Sequence, residues 1–173
     1  MKIRRRVLFI TAFIIVVISI SIYILGYPLV FDFSNSLPAN NVVYQKGEMV
    51  SPLKNFTFEK GNWTAYIIIS NDDESNLSEK MPQGKIFKTT DKILLREMQN
   101  EWKFTFTGGD IATVTSYITI YQNENKVFES GIILDKSSQG LQSRQFGYLA
   151  DTDKLLKSCS KFKKVYFPLV ILN

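Results

Sequence analysis

The chain has 173 residues, 45% of them hydrophobic, with 21 Lys and Arg against 16 Asp and Glu, one Cys and no His. The missing histidine excludes Ser-His-Asp and Cys-His catalysis, the usual zinc centres and any histidine pH switch. A single cysteine excludes an internal disulfide framework, so Cys159 is expected as a small buried hydrophobe.

Four cations, Lys2, Arg4, Arg5 and Arg6, stand in the first six residues, which leaves 17 Lys and Arg facing the 16 acids in the remainder. The basic balance is therefore local to the N-terminus. With no basic run interleaved with aromatics, nucleic acid is not an expected partner. Residues 7–31 carry no charge and are rich in Ile, Val, Leu and Phe. A hydrocarbon core of about 30 Å needs roughly 20 helical residues, so this run is long enough to span with some tilt. Cations retained on one side set the orientation, here N-in and C-out, and Tyr23 and Tyr27 fall where an interfacial aromatic belt belongs. A cleaved signal ending near Ser19 and Ser21 is the competing reading. The apolar run continues past that point through Ile22, Ile24 and Leu25, which favours an uncleaved anchor.

Residues 32–41 have linker composition and could reach about 30 Å if extended. Phe56, Thr57 and Phe58 alternate, residues 63–70 form a β-rich run, and Gly61-Asn62 between them suits a hairpin turn. Residues 72–83 are polar and read as an exposed, solvated loop. Thr90 or Asp91 can cap a helix that repeats Leu94 or Leu95, Met98 and Trp102 at helical spacing. Residues 102–107 alternate again, and Gly108-Gly109 offers a two-residue turn into residues 113–121. There Val114, Ser116, Ile118 and Ile120 share one face, and Thr113, Thr115, Tyr117, Thr119 and Tyr121 the other. A turn at residues 123–126 leads to a strand over 127–134, and residues 141–149 read as a further strand. A second helix starts near Asp151, with Leu155, Cys159 and Phe162 inward and Lys154, Lys157, Lys161 and Lys164 aligned outward. Residues 165–172 are apolar but too short to span, and Pro168 confines them to an edge or irregular strand.

These elements predict an α+β fold class: one N-terminal transmembrane helix, then a single domain with a largely antiparallel sheet and two helices. The expected organisation is a cytoplasmic stub at 1–6, an anchor at 7–31, a linker at 32–41 and an extracytoplasmic domain at 42–173. Two surfaces are candidates for partners. Thr115, Tyr117, Thr119 and Tyr121 would supply rigid amphipathic contact area, although ordinary solvent-facing strand residues look the same. Lys154, Lys157, Lys161 and Lys164 would attract an anionic partner, although a solvated helix face also fits them. Ser-x-x-Lys occurs at Ser51/Lys54, Ser158/Lys161 and Ser160/Lys163, but a Ser-Lys dyad needs a desolvated lysine, which a lysine-rich face does not offer. No catalytic residue, metal ligand or cofactor site is assigned.

The functional expectation is a non-enzymatic, single-pass protein-binding module at the outer side of a cytoplasmic membrane. It would bind another envelope protein, either as an assembly component or as an immunity or inhibitor protein against an incoming toxin. The alternatives are an envelope hydrolase working with carboxylates or Tyr, and a structural subunit of a membrane complex. A pocket with two convergent carboxylates, one of raised pKa, would favour the hydrolase.

Overall fold

Alternation between Tyr117 and Leu134 does produce an antiparallel hairpin, and that hairpin is the middle of a nine-stranded sheet. The computed structural model describes residues 2–25, 29–35, 37, 38, 42–108, 114–151, 154–166 and 169–172. In chain order the elements are α1 (Lys2–Leu25), β1 (Leu29–Asp32), β2 (Met49–Val50), β3 (Trp63–Ile68), α2 (Asn71–Glu74), β4 (Ile86–Thr89) and α3 (Lys92–Glu101). They continue as β5 (Phe104–Phe106), β6 (Tyr117–Gln122), β7 (Asn125–Leu134), β8 (Gln139–Ser143), β9 (Gly147–Ala150), α4 (Lys154–Cys159), β10 (Lys163–Lys164) and β11 (Leu169–Leu172). The fold is α+β with a mostly antiparallel sheet, as the sequence predicts.

The chain divides into two compact units. The smaller comprises Met1–Phe33 with Tyr166–Leu172, and the larger Ser34–Val165 with Asn173. In the smaller unit β1 and β11 form a two-stranded parallel sheet, pairing Leu29 with Leu169 through Asp32 with Leu172. Helix α1 ends at Leu25, so the helical segment is shorter than the charge-free run, and Asp32 closes a strand instead of opening a linker. Tyr27 lies outside the described residues. The side chains described in α1 reach Ser21, which leaves that of Tyr23 outside them too. Among the described residues no helix is long and apolar enough to cross a membrane.

In the larger unit the sheet order is β10-β4-β3-β6-β7-β8-β9-β5-β2, antiparallel at every pairing. The β6–β7 turn is Asn123-Glu124, both with positive φ, 49° and 69°. Two left-handed residues give the turn whose twist matches its flanking strands. Helix α3 starts at Asp91, whose Oδ1 accepts from the Ile93 N–H at 2.8 Å and caps the first turn. Leu94, Leu95 and Met98 of α3, with Leu155, Leu156 and Cys159 of α4, pack into one core with Trp63, Ile67, Trp102, Phe104, Ile118 and Ile120. The Trp102 indole N–H satisfies itself on the Ser158 hydroxyl at 3.2 Å, joining the two helices inside that core.

Several expected elements differ. Phe56 lies in an irregular segment and Phe58 in a turn, with no strand and no hairpin at Gly61-Asn62. Phe58 is nevertheless fully buried, its ring edge-on to Trp63 at 4.6 Å. The Phe periodicity there records packing, not pairing. β5 does not return on β6 across Gly108. It sits between β9 and β2, because β3 takes the free edge of β6; Gly109 lies outside the described residues. Residues 141–149 are two strands, folded back at 144–146. The second helix stops at Cys159, and Lys163 and Lys164 form the edge strand β10 against β4.

Candidate functional site

The proposed Thr/Tyr surface is largely an interior. Thr119 is 0% and Tyr121 4% exposed, and only Thr115 is open to solvent. In the sheet register Thr119 is flanked by Tyr66 on β3 and Glu129 on β7. The Tyr66 ring packs edge-on to Tyr121 at 6.1 Å, and the Lys126 side chain, which pairs with Glu129, is itself almost wholly covered. Period-two alternation separates two faces, but it does not say which is wet, because Thr and Tyr carry enough apolar surface to be covered by long neighbours. The half-buried Tyr117 and the exposed Thr115 do not make a flat contact patch.

The lysine stripe is also broken. Lys154 and Lys157 are on α4, Lys161 follows in a turn and Lys164 belongs to β10. Two of the four face α3: Lys157 lies 3.5 Å from Glu101, and Lys161 bonds Glu97 at 2.5 Å. Hydrogen bonding to Glu97 raises the Lys161 pKa, the opposite of what a Ser-Lys base needs. Ser158 is likewise committed, accepting from Trp102 and donating to the Lys154 carbonyl at 3.1 Å. Lys161 and Lys164 do share a groove of about 470 Å³ with Lys88 and Lys163, but Asp91 and Glu97 line it too.

The site that the geometry singles out starts in the segment read as a solvated loop. Ser70 caps the four-residue α2 by accepting from the Asp73 N–H at 3.2 Å. The cap turns Asp73 toward the chain entering β6. There its Oδ2 accepts from the Ser116 N–H at 2.9 Å, the Ser116 hydroxyl at 2.5 Å and the Thr115 hydroxyl at 3.1 Å. Each hydroxyl has one proton. With Thr115 donating to Asp73, the 2.7 Å contact between Ser70 and Thr115 requires Ser70 to be the donor. Ser116 Oγ accepts from the Ser70 N–H at 3.0 Å, so the network closes on the carboxylate. Burial alone would raise Asp73, but the hydrogen bonds it accepts from Ser116 and Thr115 outweigh it and hold the carboxyl below its usual range.

The second carboxylate comes from the end of β7. Residues 76–78 run alongside it: Leu77 bridges Asp135, the Ser78 N–H donates to the Leu134 carbonyl at 2.9 Å, and the Lys136 N–H to the Asn76 carbonyl at 3.1 Å. This places Asp135 within the field of Asp73. Burial, and then the Asp73 charge, push its pKa up. Tyr148, on β9, closes the site. Its hydroxyl donates to the Gln139 carbonyl at 3.3 Å, and burial with the charges of Asp135 and Asp151 raises its pKa. Gly140 makes room for that ring: a Cβ there would collide with the Leu149 carbonyl and stand 2.7 Å from the Tyr148 ring.

Asp73, Ser116, Asp135, Ser138 and Tyr148 line a cavity of about 270 Å³, and Ile69, Leu77, Val114, Ile132 and Leu134 form its apolar wall. One carboxylate is held ionised and its neighbour resists ionisation. A cation entering between them would relieve the repulsion, and an apolar stem would meet the wall. Among the described residues no group of three or more His, Cys, Asp or Glu could hold a metal ion. Sequence reasoning placed Asp73 in a solvated loop and did not single out Asp135. The one available signal was the Ser70-x-x-Asp73 cap spacing, which marks a turn of helix and not a site. Compared with known proteins, the chain matches no family model, no curated protein and no solved structure.

Proposed function

We propose that this chain is a single-pass, membrane-anchored binding module of the cell envelope. Its C-terminal domain, on the far side of a cytoplasmic membrane, takes up a lysine or arginine side chain of an envelope protein in the Asp73/Asp135 cavity. The anchor reading is supported by the 25 charge-free residues at 7–31 behind four cations. It is also supported by the helical stretch of that run, Val7 to Leu25 within α1, about 28 Å at 1.5 Å per residue, and by the exposure of Leu8, Phe9, Phe13 and Ile15 along it. Apolar side chains presented all round a helix suit lipid or a partner, not water. Tethering also raises the effective concentration of the module at the membrane.

The observation that carries the binding assignment is the carboxylate pair itself, one lowered and one raised in pKa, lining an apolar-walled cavity. A bound ammonium or guanidinium favours the charged form of Asp135. The test is a crosslinking pulldown of the tagged full-length protein from its native membranes. One dominant envelope partner should be captured by the wild type and by Tyr117→Ala, and lost in Asp135→Asn. Retention of that partner by Asp135→Asn, or capture of nothing, overturns the assignment.

A hydrolase is the second reading, favoured by the same separation of pKa values, which is how a carboxylate pair divides acid and base roles. In that case Asp135, protonated, would donate to a leaving group while Asp73 stays charged. Turnover of envelope glycans by the wild type, abolished in Asp135→Asn, would establish it over binding.

A further inference from the structure

We infer that the β1–β11 strand pair lies on the membrane surface, with its Leu29, Phe31, Leu169 and Ile171 face set into the headgroup and upper acyl region of the outer leaflet. The register places Leu29 beside Leu169 and Phe31 beside Ile171, so the four side chains share one face of the pair. They are 45%, 45%, 43% and 53% exposed, respectively. On the opposite face Val170 and Leu172 are buried and Val30 is half-buried, while Asp32, at the end of β1, is exposed. The accessible face of Leu29, Phe31, Leu169 and Ile171 is thus made of large apolar groups. Phe33 extends it, stacked on Phe31 with ring centroids 6.1 Å apart, and donates its N–H to the Leu172 carbonyl at 2.8 Å.

Continuity with α1 identifies the occupant. The strand pair and α1 belong to one compact unit. Leu29 is four Cα steps from Leu25, a reach of at most about 14 Å, so β1 begins where the helix leaves the bilayer. Leu29 and Phe31 are the last apolar residues of the charge-free run, which ends at Asp32. Tyr166, highly exposed ahead of β11, is the residue type that accumulates at such an interface. A two-stranded sheet also has two open edges, whose N–H and C=O groups need water or headgroups. This confines the pair to the interface and keeps it out of the hydrocarbon. The consequence for the module is a second attachment: the segment at Leu169–Leu172 returns to the bilayer.

The inference rests on the anchor reading of α1, and one experiment separates the two. The full-length protein is reconstituted in phosphatidylcholine vesicles carrying a doxyl spin label either near the headgroup or near the chain end. Single cysteines bearing an environment-sensitive fluorophore are placed by Ile171→Cys, Leu169→Cys, Ile14→Cys and Glu124→Cys. Cys159 stays in place, since it is fully buried. The expected result is loss of fluorescence at Ile171→Cys and Leu169→Cys with the headgroup-proximal label, loss at Ile14→Cys with the chain-end label, and none at Glu124→Cys. Quenching at Ile14→Cys without quenching at either strand position overturns the inference and leaves the anchor standing. No quenching at Ile14→Cys overturns the anchor and the inference with it. Unquenched strand labels that instead form lipid-independent disulfide dimers when left unlabelled would assign the face to a second copy, and also overturn the inference.

Discussion

Asp73 illustrates how one side chain can serve stability and a site together. Its Oδ2 is the acceptor for the buried Ser116 N–H and hydroxyl. Asp73→Ala leaves both without that acceptor and is expected to cost about 1–3 kcal/mol, the usual cost of a stranded buried polar group, in urea unfolding near neutral pH. Its lowered pKa gives stability that is present above the unfolded carboxylate value and is lost as pH falls through the lower, folded value. Asp135 has the reverse sign. Its folded pKa is raised, so its contribution is fully present below the unfolded value and is lost as pH rises through the folded one. Asp135→Asn, which stays neutral, should therefore be more stable than the wild type near pH 7 and lose that advantage near pH 3, as read by thermal unfolding across pH. An unchanged difference at the two pH values would show that the Asp135 carboxyl is not raised by its burial and by Asp73. Partner binding should strengthen as pH rises through the Asp135 pKa, because the ion that binds a cation is the one being formed.

At the scale of elements, the β6–β7 hairpin was legible because its turn is local chemistry. Asn tolerates the left-handed region at 123, whereas Glu124 at φ 69° has no such excuse. Glu124→Gly removes that strain and should stabilise the domain by about 1 kcal/mol in chemical denaturation. A loss of stability would mean that the Glu124 side chain contributes more than its backbone costs. A cap at Thr90 or Asp91 was readable for the same local reason, and the structure selects Asp91, which bonds residues two and three positions away. The second helix was not. Lysines at helical spacing continue through 161 and 164, but the chain turns after Cys159, and Lys163 and Lys164 pair with Lys88 and Phe87. Lysine on an edge strand discourages further strand addition, a role that depends on the sheet and not on helical periodicity.

At the scale of the whole molecule, the sheet order sets which parts are best held. β3, β6 and β7 are paired on both sides, while β2 and β10 are two-residue strands at the edges. Amide exchange should be slowest at Ile67, Ile118, Ile120 and Ile132 and fast at Met49 and Lys163, because local opening requires fewest contacts at the edges. Rapid exchange at Ile118 would contradict this sheet order.

The α+β class, the mostly antiparallel sheet, a capped start to α3 and a hairpin turn within 123–126 follow from the sequence alone, as does the one-sided charge around a long apolar run. Each rests on contacts between residues near in the chain or on a periodicity that one element displays by itself. The burial of Thr119 and Tyr121, the placement of β5 beside β9 and the return of β11 onto β1 were decided only by the tertiary structure. So was the meeting of Asp73 with Asp135, 62 positions apart in the chain. Each of these depends on which distant strand occupies an open edge or covers a face, and loop closure over such distances leaves no periodic trace in the residues between.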